Sequence, residues 1–203
     1  MGNYVEAEEV KSFCKLNWED LGYNSDAEFE AFINELISLA ESVVENFCRV
    51  PSGFFKTGGI QFQNQVYDYR YAILLRYRPV LSVEKVEINV AGYGQTPSWT
   101  QLNAEEYVVD LQAGVIYLVG RTPLCELQSI RVSYTAGYSE TPGIIKYVVL
   151  QLCSNIMHSI LQRKISPVVR VDDWTIRMLI PDVFTPELQT MLQPYVRMVI
   201  EVG

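Results

Sequence analysis

The 203 residues carry 16 Lys and Arg against 24 Asp and Glu, a formal net charge of −8, with 49% hydrophobic and 20% charged residues. That balance excludes a disordered polar chain, and it argues against a surface built to neutralise nucleic-acid phosphates, which draws on clustered cations. Thirteen Tyr, eight Phe and three Trp add large contact surfaces with polar tips, a mixture favoured at protein interfaces as well as in cores.

The opening ten residues are polar and acidic, without the basic and apolar regions of a signal peptide. No apolar run in the sequence nears the ~18 residues of a membrane span, so a soluble, cytoplasmic setting is expected. Residues 6–13 suit a short opening helix. Ser25-Asp26-Ala27-Glu28 has capping-box spacing, with Ser25 placed to accept from the N3 amide and Glu28 to reach back. From there Phe29, Phe32, Ile33, Leu36, Ile37, Ala40, Val43, Val44 and Phe47 recur at steps of three and four, one apolar stripe that Pro51 and Gly53 should stop.

Between 60 and 138 the period changes to two. Segments 61–67, 72–77, 83–90, 107–110, 115–119 and 130–134 are rich in β-branched and aromatic residues, and a small antiparallel sheet is expected. Residues 108–117 read as a hairpin, with Gly114 available for a positive φ. Arg70, Arg76 and Arg78 alternate with Tyr and Leu as the solvent face of a strand does. The loop 91–97 holds Gly92, Tyr93 and Gly94, an exposed tyrosine between two glycines that suits a contact-making tip.

Helix returns after Thr141 and Pro142, with Ile144, Ile145, Val148, Val149, Leu152, Ile156 and Ile160 as its stripe. Residues 168–180 alternate apolar with charged side chains, as an extended ribbon would, around Asp172-Asp173. Thr185-Pro186-Glu187 repeats the capping logic for a last helix through Leu188, Met191, Leu192, Tyr195 and Val199, which Pro194 should kink or shorten. The expected class is α+β in a single domain: helical at 1–55 and 141–165, a β insertion at 60–138, and a C-terminal extension at 166–203.

Residue types that carry chemistry are sparse. Cys14, Cys48, Cys125 and Cys153 form no C-x-x-C pair, and Cys153 lies five residues from the only histidine, His158, so the two do not share a helix face. His158 therefore reads as a core-edge or solvent-flank residue rather than a base. Glu105-Glu106 and Asp172-Asp173 are adjacent, and in strands would point to opposite faces. Gly58-Gly59 and Gly92-Tyr93-Gly94 match no phosphate-cradling pattern. No catalytic residue, metal or cofactor is expected.

At Ile130-Arg131-Val132-Ser133-Tyr134-Thr135-Ala136-Gly137-Tyr138, followed by Thr141-Pro142-Gly143-Ile144-Ile145-Lys146, the chain resembles the head–tail connector (adaptor, or head-completion) proteins of long-tailed bacteriophages. That family characteristically carries a strand ending in a Tyr-Thr-Ala-Gly-Tyr type turn, then a proline-started helix. The helix from Ser25, the Arg78-Pro79-Val80-Leu81-Ser82-Val83 segment and Tyr107-Val108-Val109-Asp110 with Gly114-Val115-Ile116 follow in the same order.

The resemblance implies a structural virion protein, not an enzyme. It would form a homo-oligomeric ring, commonly of twelve copies, beneath the portal, joining head to tail and extending the DNA channel. Implied partners are the portal, neighbouring copies, a downstream neck or tail-completion protein, and DNA passing through the lumen without sequence recognition; no membrane is involved. The location would be the neck of the virion, with assembly in the host cytoplasm.

Candidate residues follow from this reading. Tyr134, Thr135, Ala136, Gly137, Tyr138 and Pro142 form the corner; Val196, Met198, Val199, Ile200 and Val202 form an apolar end for portal docking; Gly92, Tyr93 and Gly94 form the contact loop. Alternatives are a tail-completion or other neck protein of the same particle, and a carbohydrate-binding module built on Trp99 or Trp174.

Overall fold

A computed structural model of the chain describes residues 2–92, 94–120, 122–123, 127–165 and 183–197. The expected ribbon at 168–180, Trp174, Asp172-Asp173 and Cys125 lie outside the described residues. The chain divides into two compact units, Met1–Ser52 with Thr141–Gly203, and Gly53–Glu140. The α+β class expected from the sequence holds.

The first unit is helical: α1 (Ala7–Cys14), α2 (Asp26–Cys48), α3 (Gly143–Ile165) and α4 (Pro186–Leu192). Ser25 caps α2, its hydroxyl accepting from the Glu28 amide, while Glu28 reaches back one residue further than a capping box requires and accepts from Asn24. The stripe buries Phe29, Ile33, Leu36, Ile37, Ala40 and Val44. The helix ends at Cys48, before Pro51, because Arg49 turns into the left-handed region at φ 58°.

α2 and α3 pack together, with α1 and α4 against them. From α3 this core takes Ile145, Val148, Val149, Leu152 and Met157, whereas the expected stripe residue Ile144 is exposed. Over Gly143–Leu161, α3 is long and apolar enough by composition to cross a membrane, contrary to the expectation that no such run exists. Burial of that side against α1 and α2 is what a core helix needs. Pro142 is not the first helical residue, since its carbonyl accepts the Lys146 amide from just outside the helix. Thr185 caps α4 as expected, with Pro186 in the first position, and Gln193–Tyr195 continues as a 3-10 turn at Pro194.

The second unit contains two sheets where one was expected. Strands β1 (Ile60–Tyr67), β3 (Val80–Asn89), β4 (Trp99–Gln101) and β7 (Ile130–Ala136) form the order β1-β7-β3-β4; β2 (Ile73–Leu74), β5 (Tyr107–Asp110) and β6 (Val115–Leu118) form β2-β6-β5. Every pairing between these strands is antiparallel. The reason for two sheets is that β7 is central to the first and alternates buried and half-buried along its whole length, leaving the hairpin β5-β6 to recruit the short β2. Gly114 turns that hairpin at φ +65°. Glu105-Glu106 stand in a 3-10 turn, not a strand, and Glu106 accepts from the Asn103 amide as half of a capping box.

Candidate functional site

The corner at the end of β7 is built from backbone. Ala136, buried, pairs with Ile60 on one side and Val80 on the other, and the chain then leaves the sheet through Gly137 at φ +129°. A Cβ on Gly137 would stand 2.7 Å from the Gly59 Cα and 2.7 Å from the Phe54 carbonyl oxygen. Gly59, at φ +66°, answers it: a Cβ there would stand 2.5 Å from the Ala136 carbonyl oxygen. Two chain segments therefore cross at a separation only glycine permits. Hydrogen bonds close the crossing, with the Gly137 amide donating to Pro79 and the Gly58 amide to Tyr138.

Aromatic rings surround the crossing. Tyr134 is fully buried, stacked on Phe62 at 5.4 Å between centroids, and its phenol oxygen lies 3.1 Å from that of Tyr67 while accepting the Tyr77 amide. Burial pushes the Tyr134 phenol well above its usual range. Tyr138 packs against Phe54 and Phe55. Thr135 donates to Glu84, which also accepts from Ser82. These groups hold one another, and the arrangement orients the chain rather than activating any atom in it.

A second polar node lies across β3, β4 and β7. Glu87, on β3 and buried, accepts from Arg131 on β7 through both carboxylate oxygens, at 2.5 and 2.8 Å, and Lys85 adds an ion pair at 2.7 Å. The guanidinium of Arg131 also lies 4.6 Å over the Trp99 ring. The Arg131 hydrogen bonds hold the Glu87 carboxyl below the usual carboxylate range against the opposing effect of burial. Trp99 is thus engaged by a cation within its own sheet.

In the helical unit, α2 buries two glutamates beside its apolar stripe. Glu41 accepts the backbone amides of Asn3 and Tyr4, and Glu45 accepts the Tyr4 hydroxyl at 2.5 Å. A groove of about 500 Å³ runs past them, lined also by Ser38, Ser42, Asn46 and Pro51. Their spacing of four placed them on one helical face in the sequence, but the backbone donors come from 37 or more residues away.

The remaining candidates divide. Gly94 has φ +77° and open space around it, Gly92 lies beside the Gln95 side chain, and Tyr93 lies outside the described residues. Val196 is half-buried, and the next residue, Arg197, donates its amide to the Cys48 carbonyl; Met198, Val199, Ile200 and Val202 lie outside the described residues. His158 is exposed, with Nδ1 donating to the Ser154 carbonyl one turn back. Burial pushes the Cys48 and Cys153 thiols up to about 12. Among the described residues no group of three His, Cys, Asp or Glu is placed to hold a metal ion.

Sequence reasoning missed Gly59, Glu87 with Arg131, and Glu41 with Glu45. Gly58-Gly59 was visible as a pair but was weighed only as a phosphate loop. The carboxylates carried little local signal, because Glu41, Glu45 and the Glu87–Arg131 pair are completed through tertiary structure, and only Lys85 stands near Glu87 in the sequence.

No protein-family model matches the chain, and no curated protein matches it. Solved structures share its fold, among them two from gene transfer agent particles. A chain described as the neck of an empty gene transfer agent particle, computed with C6 symmetry, superposes with a TM-score of 0.54 at 14% identity, covering 98% of this chain and 92% of its own. A chain from the virion of a native gene transfer agent particle gives 0.53 at 17% identity, with the same coverage. At these identities the likeness is one of fold, and it extends over nearly the full length of both chains.

Proposed function

We propose that this chain is a structural protein of the neck of a phage-like particle: a ring subunit seated beneath the portal that joins head to tail and extends the DNA channel. The observation that carries the reading is the likeness over 98% of the chain to a chain from a gene transfer agent neck. The glycine crossing at Gly59 and Gly137 supports it independently, since it gives a physical role to the residues through which the sequence resembles head–tail connectors. A sixfold axis, as used for that neck, is compatible with rings of six or of twelve copies, and twelve is the number proposed here.

Under this reading no residue does chemistry. Subunits pack side to side, and the acidic balance of the chain keeps the lumen from gripping the DNA that passes through it. Val196 and the apolar residues Met198, Val199, Ile200 and Val202 dock on the portal, and the loop at Gly92, Tyr93 and Gly94 makes a further contact. The chain works in the virion neck, after assembly in the host cytoplasm.

Electron microscopy of the purified protein with its candidate portal tests the reading. Rings coaxial with the portal are expected; a monomer that never associates with the portal overturns it. Truncation after Arg197, which keeps the hydrogen bond from Arg197 to Cys48, should abolish portal binding and leave the fold intact. A second reading, a tail-completion protein of the same neck, predicts capture of tail proteins in place of the portal.

A further inference from the structure

The sheet β2-β6-β5 has one buried and one open face. Ile73 and Ile116 are directly paired and buried, with Val109 opposite Ile116 on the same face. The alternate positions, Leu74, Val108 and Tyr117, are exposed, Val108 by 57%. Tyr71, 89% exposed, extends this face by packing edge-on against Tyr117 at 6.0 Å. Along β2 its margin is cationic, since residues 69–79 contain Arg70, Arg76 and Arg78 and no acid; on β5 the exposed Asp110 shares the open face with Val108 but accepts from the Ala113 amide, and neither Arg70 nor Arg76 is held in an ion pair among the described residues. Arg78 is spent internally, on the Ala113 carbonyl.

The helical unit carries the opposite pattern. Residues 1–48 hold eleven Asp and Glu against two Lys, a formal charge of −9. On α2, Glu28, Glu35 and Leu39 are spaced at seven and four, hence on one face, and all three are exposed, Leu39 by 55%. Phe32 lies half-buried between them, against Tyr23, whose phenol is pushed up by burial and by the neighbouring Glu35 carboxylate. An exposed leucine flanked by carboxylates is the counterpart of exposed tyrosines flanked by arginines.

We infer that the open face of β2-β6-β5, with Arg70 and Arg76, docks on the Glu28–Glu35–Leu39 face of α2 in a second copy of this chain. Apolar centres meet, and the charged margins pair with opposite sign. The two surfaces are different patches, so the contact is heterologous and repeats from copy to copy, which closes a ring when the rotation allows. This deepens the proposed ring, and rests on it for closure though not for the contact itself.

Charge reversal tests it. R70E/R76E alone and E28K/E35K alone should each weaken self-association by at least about tenfold, because like charges then face across the contact. Mixing the two variants should restore it, since every neighbouring pair in the mixture regains opposite signs. Sedimentation velocity reads the assembly, and circular dichroism checks that each variant folds. Where the wild-type association is too weak to sediment, L39C mixed with Y71C should give a disulfide-linked dimer under oxidation that neither variant gives alone.

Full assembly by the single variants, absence of rescue on mixing, or absence of the L39C–Y71C dimer would overturn the inference. Loss of duplex DNA binding by R70E/R76E with assembly unchanged would also overturn it, and would assign the arginines to nucleic acid. Rings that still form on the portal through another face would sink this contact while leaving the neck reading intact. A dimer that forms in a protein with no affinity for the portal would do the reverse.

Discussion

The two units solve the burial of polar groups in different ways. In the helical unit, Glu41 and Glu45 meet backbone and hydroxyl donors from the start of the chain, so a short segment is strapped to a helix by hydrogen bonds. In the β unit, Gly59 and Gly137 cross so closely that no Cβ fits, the crossing being closed by the Gly137 and Gly58 amides, and Glu87 is fixed by two cations. The Asn3–Tyr4 segment, though Tyr4 is buried, can open locally and give its partners to water when one hydrogen bond is lost. A backbone crossing that leaves no room for a Cβ, and a buried ion pair, cannot.

Sensitivity should therefore concentrate in the β unit. The largest effect is expected for G137A, which adds a Cβ against two backbone atoms at a φ that L-residues avoid, costing about 3 kcal/mol or more in a denaturant titration. G58A is its control: φ is +85° but the space is open, and the cost should be about 1 kcal/mol. Equal effects would remove the crossing from the explanation and leave only backbone conformation.

Next comes E87Q, which leaves Arg131 without its carboxylate and should cost about 2–3 kcal/mol. This site also makes a pH prediction. The Glu87 carboxyl titrates lower in the folded protein than its ordinary 4.5, chiefly through Arg131. Its contribution is therefore complete above about pH 4.5 and is lost as the pH falls through the depressed folded value. E87Q should flatten that part of the acid-stability curve; a slope unchanged from wild type would show that Arg131 does not hold the charge.

In the helical unit the losses should be smaller. E41Q keeps one acceptor and loses the charge, so about 1–2 kcal/mol is expected, with faster hydrogen exchange at the Tyr4 amide. An effect on Tyr4 exchange without one on global stability would confirm a strap that opens locally. S25A, which removes the cap from α2, should cost about 1 kcal/mol. If E41Q proved as costly as G137A, the contrast between the units would fail.

Some of this was legible in residue order. Ser25 and Thr185 as caps, Gly114 as the hairpin turn and Pro194 as the end of α4 all act within a few residues, and the structure places each where its chemistry calls for it. Expectations went astray where the local signal was overruled nearby. Arg49 ended α2 before Pro51 could, and Glu105-Glu106 joined a 3-10 turn because Asn103 offered a cap. The strand β4 escaped notice, being three residues that pair only with the end of β3.

Local propensity, capping and period thus determined from the sequence alone that helices flank a β region and where most elements begin. They also marked Gly137 as a corner. Only the tertiary structure decided that the strands split into two sheets, that Gly59 is what Gly137 must clear, and that Glu41, Glu45 and Glu87 are buried with partners. Those outcomes depend on segments dozens of residues apart meeting in space, and a pairing of that kind leaves no trace in the spacing of either segment.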